Sequence, residues 1–418
     1  MKTIVLDDDP TGTQSATGVT VLFDSTAELL AEALTDADSV YVQTNSRALP
    51  SDEAVALVRR IKADGEAAAE QLGDDVRFVL RGDSTLRGHV FAESEVFLDD
   101  DAVLLFVPAF PDGGRTTRGG VHYVRIGQND VPAHESEYAD DPVFGFSTGV
   151  LVDYVAEKSG LTAVPVPLED VHSGELVRVL AEAPGGSVVL PDAVDATDIS
   201  AIAAAVDAVT AKGRRIVVRS AAPLAAELAA VTSTGLLPTP LVDRPGHVLL
   251  VCGSHTSGAS DQLEPITNAW GAPAVINTAT ALDAPSAAGL EAAEEARRSF
   301  AGKPVTILTT ERARSTEHNT LSHGERVMGA LTTAVRSLLP EVRVVVAKGG
   351  ITSAEVARTG IGATSALVLG QVLLGVSAWR MTAHDGREVL YVVVPGNVGG
   401  PDTLTRVLDA LGIRVTAA

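Results

Sequence analysis

Short apolar runs recur along the chain at a spacing that leaves room for a helix and its loops between them. In the first half they fall at Thr3–Leu6, Ser39–Gln43, Arg77–Leu80, Ala102–Pro108, Ser187–Leu190 and Arg215–Val218. The Ala-rich segments 26–35, 51–72 and 199–211 carry apolar residues at helical spacing instead. Short apolar strands alternating with helices predict a mostly parallel sheet covered on both faces. Residues 110–150 break the rhythm with many Gly, Pro, His and acidic residues, and predict a long excursion carrying a short ribbon or lid. The turn-rich stretch GLLPTPLVDRPG at 235–246 marks a boundary. A second set of strands follows at His247–Cys252, Ala274–Asn277, Val305–Thr309, Val342–Ala347, Ala366–Leu369 and Leu390–Val394, while 363–379 as a whole reads as a buried helix. The expectation is an α/β protein of two domains, 1–240 and 241–418. Each has a mostly parallel β-sheet flanked by helices, with the active site in the interdomain cleft.

Composition narrows the partners. With 418 residues, 45% hydrophobic and 21% charged, the chain can bury sizeable cores. A formal charge of −22 argues against a nucleic-acid backbone or an anionic membrane, but not against a small anion in a locally basic pocket. The single cysteine, Cys252, excludes an intrachain disulfide and a zinc cluster built on cysteines. It ends an apolar run and reads as a buried structural thiol. The opening MKTIVLDDDP is too short and too acidic for a secretory signal, so the cytoplasm is the expected compartment. The oligomeric state is left open, with a homodimer among the arrangements allowed.

Candidate chemistry collects where the first-half strands end. IVLDDDPTGTQSATG, residues 4–18, runs a strand into three aspartates and a Pro-Thr-Gly turn. In open parallel sheets the carboxyl ends of strands face the ligand crevice. Asp8 or Asp9 could accept a proton from a substrate hydroxyl or hold Mg²⁺, and the amides after them could bind oxyanions. VQTNSRALP, residues 42–50, offers Arg47, whose planar fork of donors suits a carboxylate. FVLRGDSTLRGHV, residues 78–90, brings Arg81, Gly82, Asp83 and Ser84 to a strand end, with Arg87 and His89 about a turn further on. Arg81 is expected to bind the acid group, and Asp83 to bind hydroxyls or take a proton. Arg115 and Arg118 could neutralise an acid or phosphoryl group, His122 reads as a hydrogen-bonded structural histidine, and 132–142 as a loop over the site. Taken alone, the acidic triplet also reads as a solvated strand-end turn with helix caps, and Arg47 as a surface arginine near a helix start.

The second half has different signals. Tight turns rich in glycine and hydroxyls follow strands at GSHTS (253–257), AKGGITS (347–353) and PGNVGG (395–400). Glycine lets backbone amides approach an anion without a Cβ clash, so the three together point to phosphate. None fits the GxxxxGK[ST] or GxGxxG patterns.

Taken in order, these motifs resemble the four-carbon acid sugar kinase family over nearly the whole chain. DDDPTGTQ is similar to that family's acidic DD-x-TG turn, RGDSTLRGH to its DSTLRG segment, and the three glycine turns to its nucleotide loops. The resemblance implies ATP- and Mg²⁺-dependent phosphorylation of threonate, erythronate or 3-oxo-tetronate, with a small anionic sugar acid in the first domain and ATP in the second. It implies substrate contacts at Asp8, Arg47, Arg81, Gly82, Asp83 and Ser84, with Asp8 or Asp83 as the base. It implies ATP contacts at Ser254, Gly349, Gly350, Ile351, Thr352, Gly396 and Gly399; the Mg²⁺ ligands stay unassigned. Arg81 and Gly82 depart from the lysine and aliphatic residue found in many members, GITS from an acidic GDT form, and PGNVGG from an SGGFG-like loop. A noncatalytic nucleotide-dependent sensor and an oxidoreductase of a small hydroxyacid are the alternative functions.

Overall fold

The computed structural model describes residues 1–233, 235–300, 302–312, 321–396 and 398–414. The chain divides into two compact units, Met1–Thr232 and Ser233–Ala418. In the first unit the strands are β1 (Lys2–Asp7), β2 (Thr20–Leu22), β3 (Ser39–Gln43), β4 (Val76–Arg81) and β5 (Val103–Val107). A ribbon follows, β6 (Arg115–Arg118), β7 (Val121–Ile126) and β8 (Asn129–Pro132), and then β9 (Thr162–Val166), β10 (Ser187–Pro191) and β11 (Ile216–Ser220). The unit's main sheet has the order β2-β3-β1-β4-β11-β5-β10-β9, with every pair parallel.

Burial explains why the strand runs are nearly continuous in apolar residues. β5, VLLFV, is buried at all five positions, so both faces of the sheet are covered. Each such side chain contributes about 1.5–3 kcal/mol when withdrawn fully from water. The helix Ser51–Leu72 buries Ala54, Val58, Ile61, Ala68 and Ala69, a stripe at helical spacing, and exposes most of its charges. From β1 the chain moves to one side for β2 and β3, then crosses to the other side for β4. The carboxyl ends of β1 and β4 therefore flank the point where strand order reverses, the usual ligand crevice of such sheets. The excursion at 110–150 does carry a ribbon: β6, β7 and β8 form a separate antiparallel sheet. Asp192, just past β10, holds its tip by accepting from the Gly119 and Gly120 amides at 2.7 and 2.9 Å.

The second unit repeats the reversal. Its strands are β12 (Val248–Cys252), β13 (Ala274–Ile276), β14 (Val305–Thr310), β15 (Val344–Lys348), β16 (Ser365–Leu373), β17 (Val376–Thr382) and β18 (Glu388–Val394). The order is β13-β14-β12-β15-β18-β17-β16, parallel from β13 to β18 and antiparallel thereafter. The buried helix expected across 363–379 is instead the hairpin β16–β17. Burial along β16 alternates strictly from residue to residue, the two-residue period of a strand. Uniform apolarity had hidden that period, because intermediate positions such as Leu367 and Leu369 are apolar too. Among the described residues, no helix is long and apolar enough to cross a membrane.

Candidate active site

At the end of β1 the chain passes Asp7, Asp8 and Asp9 and enters a tight 3-10 turn at Pro10–Ser15. Asp9 caps that turn, its Oδ1 accepting from the Thr11 amide at 2.8 Å and from the Thr11 hydroxyl. Arg81 ends the adjacent strand directly opposite Asp7. Its Nη1 lies 3.0 Å from Asp7 Oδ1, 3.3 Å from Asp8 Oδ1 and 2.8 Å from Asp9 Oδ1, and its Nη2 donates to Thr11 Oγ1 at 3.0 Å. Arg81 is only 1% exposed. Arg81, expected to bind the substrate acid, lies among the three aspartates, and carboxylates buried so close together need a cation among them.

That position bears on Mg²⁺. One oxygen from each of Asp7, Asp8 and Asp9 lies within 4.8 Å of the others, a spacing that could suit a cation. The Arg81 guanidinium already contacts all three, so the triad does not fit as a magnesium site while Arg81 stays there. Asp7 Oδ2 is buried without a hydrogen-bond partner. Burial pushes Asp7 up to about 7, against the pull of Arg81 and with a further push from Asp8.

A second buried arginine, Arg219, comes from β11 on the far side of β4. Its Nη1 donates to Glu93 Oε2 at 2.5 Å and its Nη2 to Asp8 Oδ2 at 3.3 Å. Glu93 sits on the short helix Val90–Ser94. Gly82 is what allows this crossing: a Cβ there would lie 2.6 Å from Arg219 Nη2. The guanidinium thus fills the space that an aliphatic residue would need.

Arg47 follows β3 in the 3-10 turn Ser46–Ala48. Its Nη2 meets Asp9, its Nε lies 3.5 Å from Asp8 Oδ2 and its Nη1 3.6 Å from Asp83 Oδ2. Unlike Arg81 and Arg219, its side chain keeps 15% of its surface open. Asp83 Oδ2 also accepts from Arg87 Nε at 2.8 Å and from the Thr85 hydroxyl. Burial alone would raise Asp83, but Arg87 and Arg47 with the Thr85 hydrogen bond outweigh it and hold the carboxyl well below its usual range. Arg87 lies 4.9 Å from the centre of the Tyr138 ring and 3.7 Å from Asp141, so the expected loop at 132–142 does reach the Asp83 shell. His122 on β7 is fully buried. Its Nε2 bonds the Ser84 carbonyl at 2.8 Å and its Nδ1 the Thr117 hydroxyl at 3.0 Å. Burial pulls the ring down to about 4, so it is neutral, with Nε2–H donating to Ser84.

In the second unit the three glycine turns follow β12, β15 and β18, neighbours in the sheet. A Cβ on Gly349, where φ is +114°, would lie 3.2 Å from Ser254 Cβ and 3.2 Å from Thr352 Oγ1; one on Gly396 would lie 3.4 Å from Ser254 Oγ. Ser254, Gly349, Thr352 and Gly396 are therefore brought together, as a phosphate cradle of backbone amides requires. Gly350 and Ile351 open the helix Gly350–Glu355, and Ile351 is exposed. Gly399 stands further along the third turn, where its carbonyl accepts from Gln262 Nε2 at 3.4 Å. Asn397 of that turn lies outside the described residues. Cys252 is buried, and burial pushes its thiol up.

A family model described as a sugar-binding N-terminal domain matches residues 3–228, and one described as a nucleotide-binding C-terminal domain matches 249–404. The chain belongs to the four-carbon acid sugar kinase family. A D-threonate kinase from Bordetella bronchiseptica is 28% identical over 91% of this chain and 88% of its own length. A 3-oxo-tetronate kinase from Methylobacterium radiotolerans is 28% identical over 91% of this chain and 90% of its own. A D-erythronate kinase from Heliobacterium modesticaldum is 32% identical over 56% of this chain, but that match spans only 51% of the enzyme. A solved Haemophilus influenzae protein shares the fold over 98% of this chain and all of its own, with a TM-score of 0.63 at 18% identity.

Two residues of this buried charge cluster were not legible in the sequence, Arg219 and Glu93. Arg219 is the penultimate residue of its strand, one short of the end that Arg81 occupies in β4, so its place in the run IVVRS was the one available signal. Glu93 gave none, because its partner is 126 residues away.

Proposed function

We propose that the protein transfers the γ-phosphoryl group of ATP to a hydroxyl of a four-carbon sugar acid of the threonate, erythronate or 3-oxo-tetronate type. The observation that carries this reading is the arrangement around Asp83. An ionised, buried carboxylate lies between Arg47 and Arg87, two arginines that each keep an exposed edge. Such a group can accept a hydrogen bond from a hydroxyl while the neighbouring guanidiniums meet the acid end. Asp8 acts one step back, fixing Arg47 and Arg219 by ion pairs. Gly82 and Ser84 shape this loop, Gly82 by admitting Arg219 and Ser84 through its carbonyl.

ATP held by Ser254, Gly349, Gly350, Ile351, Thr352, Gly396 and Gly399 supplies the phosphoryl group, with Mg²⁺ as its counter-ion rather than as a resident of the Asp7–Asp9 triad. In the transfer, a bond forms between the acceptor oxygen and the γ-phosphorus, and the bond to the leaving oxygen of ADP breaks. Asp83 orients the hydroxyl and takes its proton late. A weakly basic carboxylate suffices for this, because in phosphoryl transfer the acceptor loses its proton once the new bond is largely made. The test is a panel of threonates, erythronates and 3-oxo-tetronates, followed by ADP release and product mass. The expected product is one acid heavier by a phosphoryl group. Nucleotide binding with no phosphorylated acid anywhere in the panel would favour a sensor and contradict this reading.

A further inference from the structure

Lys348 ends β15 immediately before the second glycine turn and is fully buried. Its Nζ donates to the Pro395 carbonyl at 2.7 Å and to the Val398 carbonyl at 3.5 Å, both on the third turn. Among the described residues it has no carboxylate partner, in contrast to Arg81 and Arg219, whose buried charges are matched. A neutral amine has two N–H groups, and two acceptors satisfy it. A charged ammonium has three, and here the third has no acceptor among the described residues. An uncompensated buried cation is costly, and burial accordingly pulls Lys348 down to about 8. The titratable or charged groups on its β12 side are Cys252, which acts against burial by raising Lys348, and Arg312, 3.7 Å from Cys252 Sγ. On the other side, Pro395 and Val398 contribute carbonyls, and Gln262 an amide that donates to the Val398 carbonyl at 3.2 Å.

We propose that Lys348 is a proton-coupled anion-binding group of the second unit: a phosphate oxygen seated on the glycine turns supplies the third acceptor, and the amine becomes an ammonium as the anion arrives. This rests on the reading of those turns as the nucleotide site. Its consequence is that binding takes up a proton from solution, and that affinity falls as pH rises above about 8.

The experiment is calorimetry of the full chain with Mg²⁺ and a nonhydrolysable ATP analogue, in buffers of different ionisation heat, from pH 7 to 10. The expected result is uptake of about half a proton per nucleotide at pH 8, rising as pH increases further, while the analogue binds more weakly. Lys348→Met should abolish the uptake and weaken the analogue at least about tenfold, with adenosine affinity unchanged. Fluorescence of Trp270 and Trp379, both in this unit, checks that the variant is folded. Binding by the wild type without proton uptake anywhere in that range overturns the proposal, and needs no variant. Equal uptake by a folded Lys348→Met overturns it as well. No analogue binding at all by the wild type would instead reject the nucleotide reading on which the proposal rests, and the proposal with it.

Discussion

Replacing Gly82 with alanine places a methyl group 2.6 Å from Arg219 Nη2, 2.7 Å from its Nε and 2.8 Å from its Cζ. The guanidinium has little freedom to yield, because Glu93 holds one end at 2.5 Å and Asp8 the other at 3.3 Å. Two costs compete. Overpacking alone is worth about 1–3 kcal/mol. If Arg219 is expelled, Glu93 and Asp8 are left buried without it, and breaking a buried ion pair costs about 3–5 kcal/mol. The smaller cost sets the outcome, so we expect a loss of about 3 kcal/mol at most. For a unit of this size that is a fall in melting temperature of about 6–12 °C. Both tryptophans lie in the second unit, so their fluorescence would miss the effect. Hydrogen exchange on peptides from β4, β11 and the helix Val90–Ser94 is the appropriate assay. Gly82→Ala combined with Arg219→Met should be less destabilised than the sum of the single changes, because the clash has gone. Exchange protection equal to the wild type in Gly82→Ala would refute the claim that Arg219 requires this glycine.

Asp83→Asn should lower kcat by roughly 10²-fold or more with nucleotide affinity retained, measured by steady-state kinetics and calorimetry. Because Asp83 is held well below its usual range, its deprotonation should contribute no limb to the rate profile of the wild type between pH 6 and 9. Arg47→Ala should weaken the sugar acid by about 1.5–3 kcal/mol and leave the nucleotide unaffected, read as separate dissociation constants. Asp7 has its folded pKa at about 7, above its unfolded value, so its contribution to stability is fully present below pH 4 and is lost as pH rises through 7. Asp7→Asn should remove that component, and denaturation at pH 5 and pH 8 compares the two proteins.

Much of this was legible in the sequence because the chemistry sits where strands end. Apolar runs located β1, β3, β4 and β11, and the residues following the first three were chosen as candidates for that reason. The glycine turns were legible on the same ground, and strand order then brought Ser254, Gly349 and Gly396 together. Partnership was not legible. A sequence shows that Arg81 and Arg47 stand where strands end, but not that Arg81 points inward at 1% exposure while Arg47 keeps an open edge. Arg219 and Glu93 depend on β11 lying beside β4, a pairing between strands separated by more than a hundred residues. The misread hairpin at β16–β17 has a different cause: a strand whose two faces are both largely apolar loses the alternation that distinguishes it from a helix.

Phosphorus NMR of a single incubation tests the central claim most directly. ATP, Mg²⁺ and one four-carbon sugar acid are mixed with the protein, and the fate of the γ-phosphorus is followed. The account predicts a phosphomonoester resonance on the acid that grows in step with ADP and is absent without the acid. ADP accompanied only by inorganic phosphate, at the same rate with and without any acid of the panel, would contradict it.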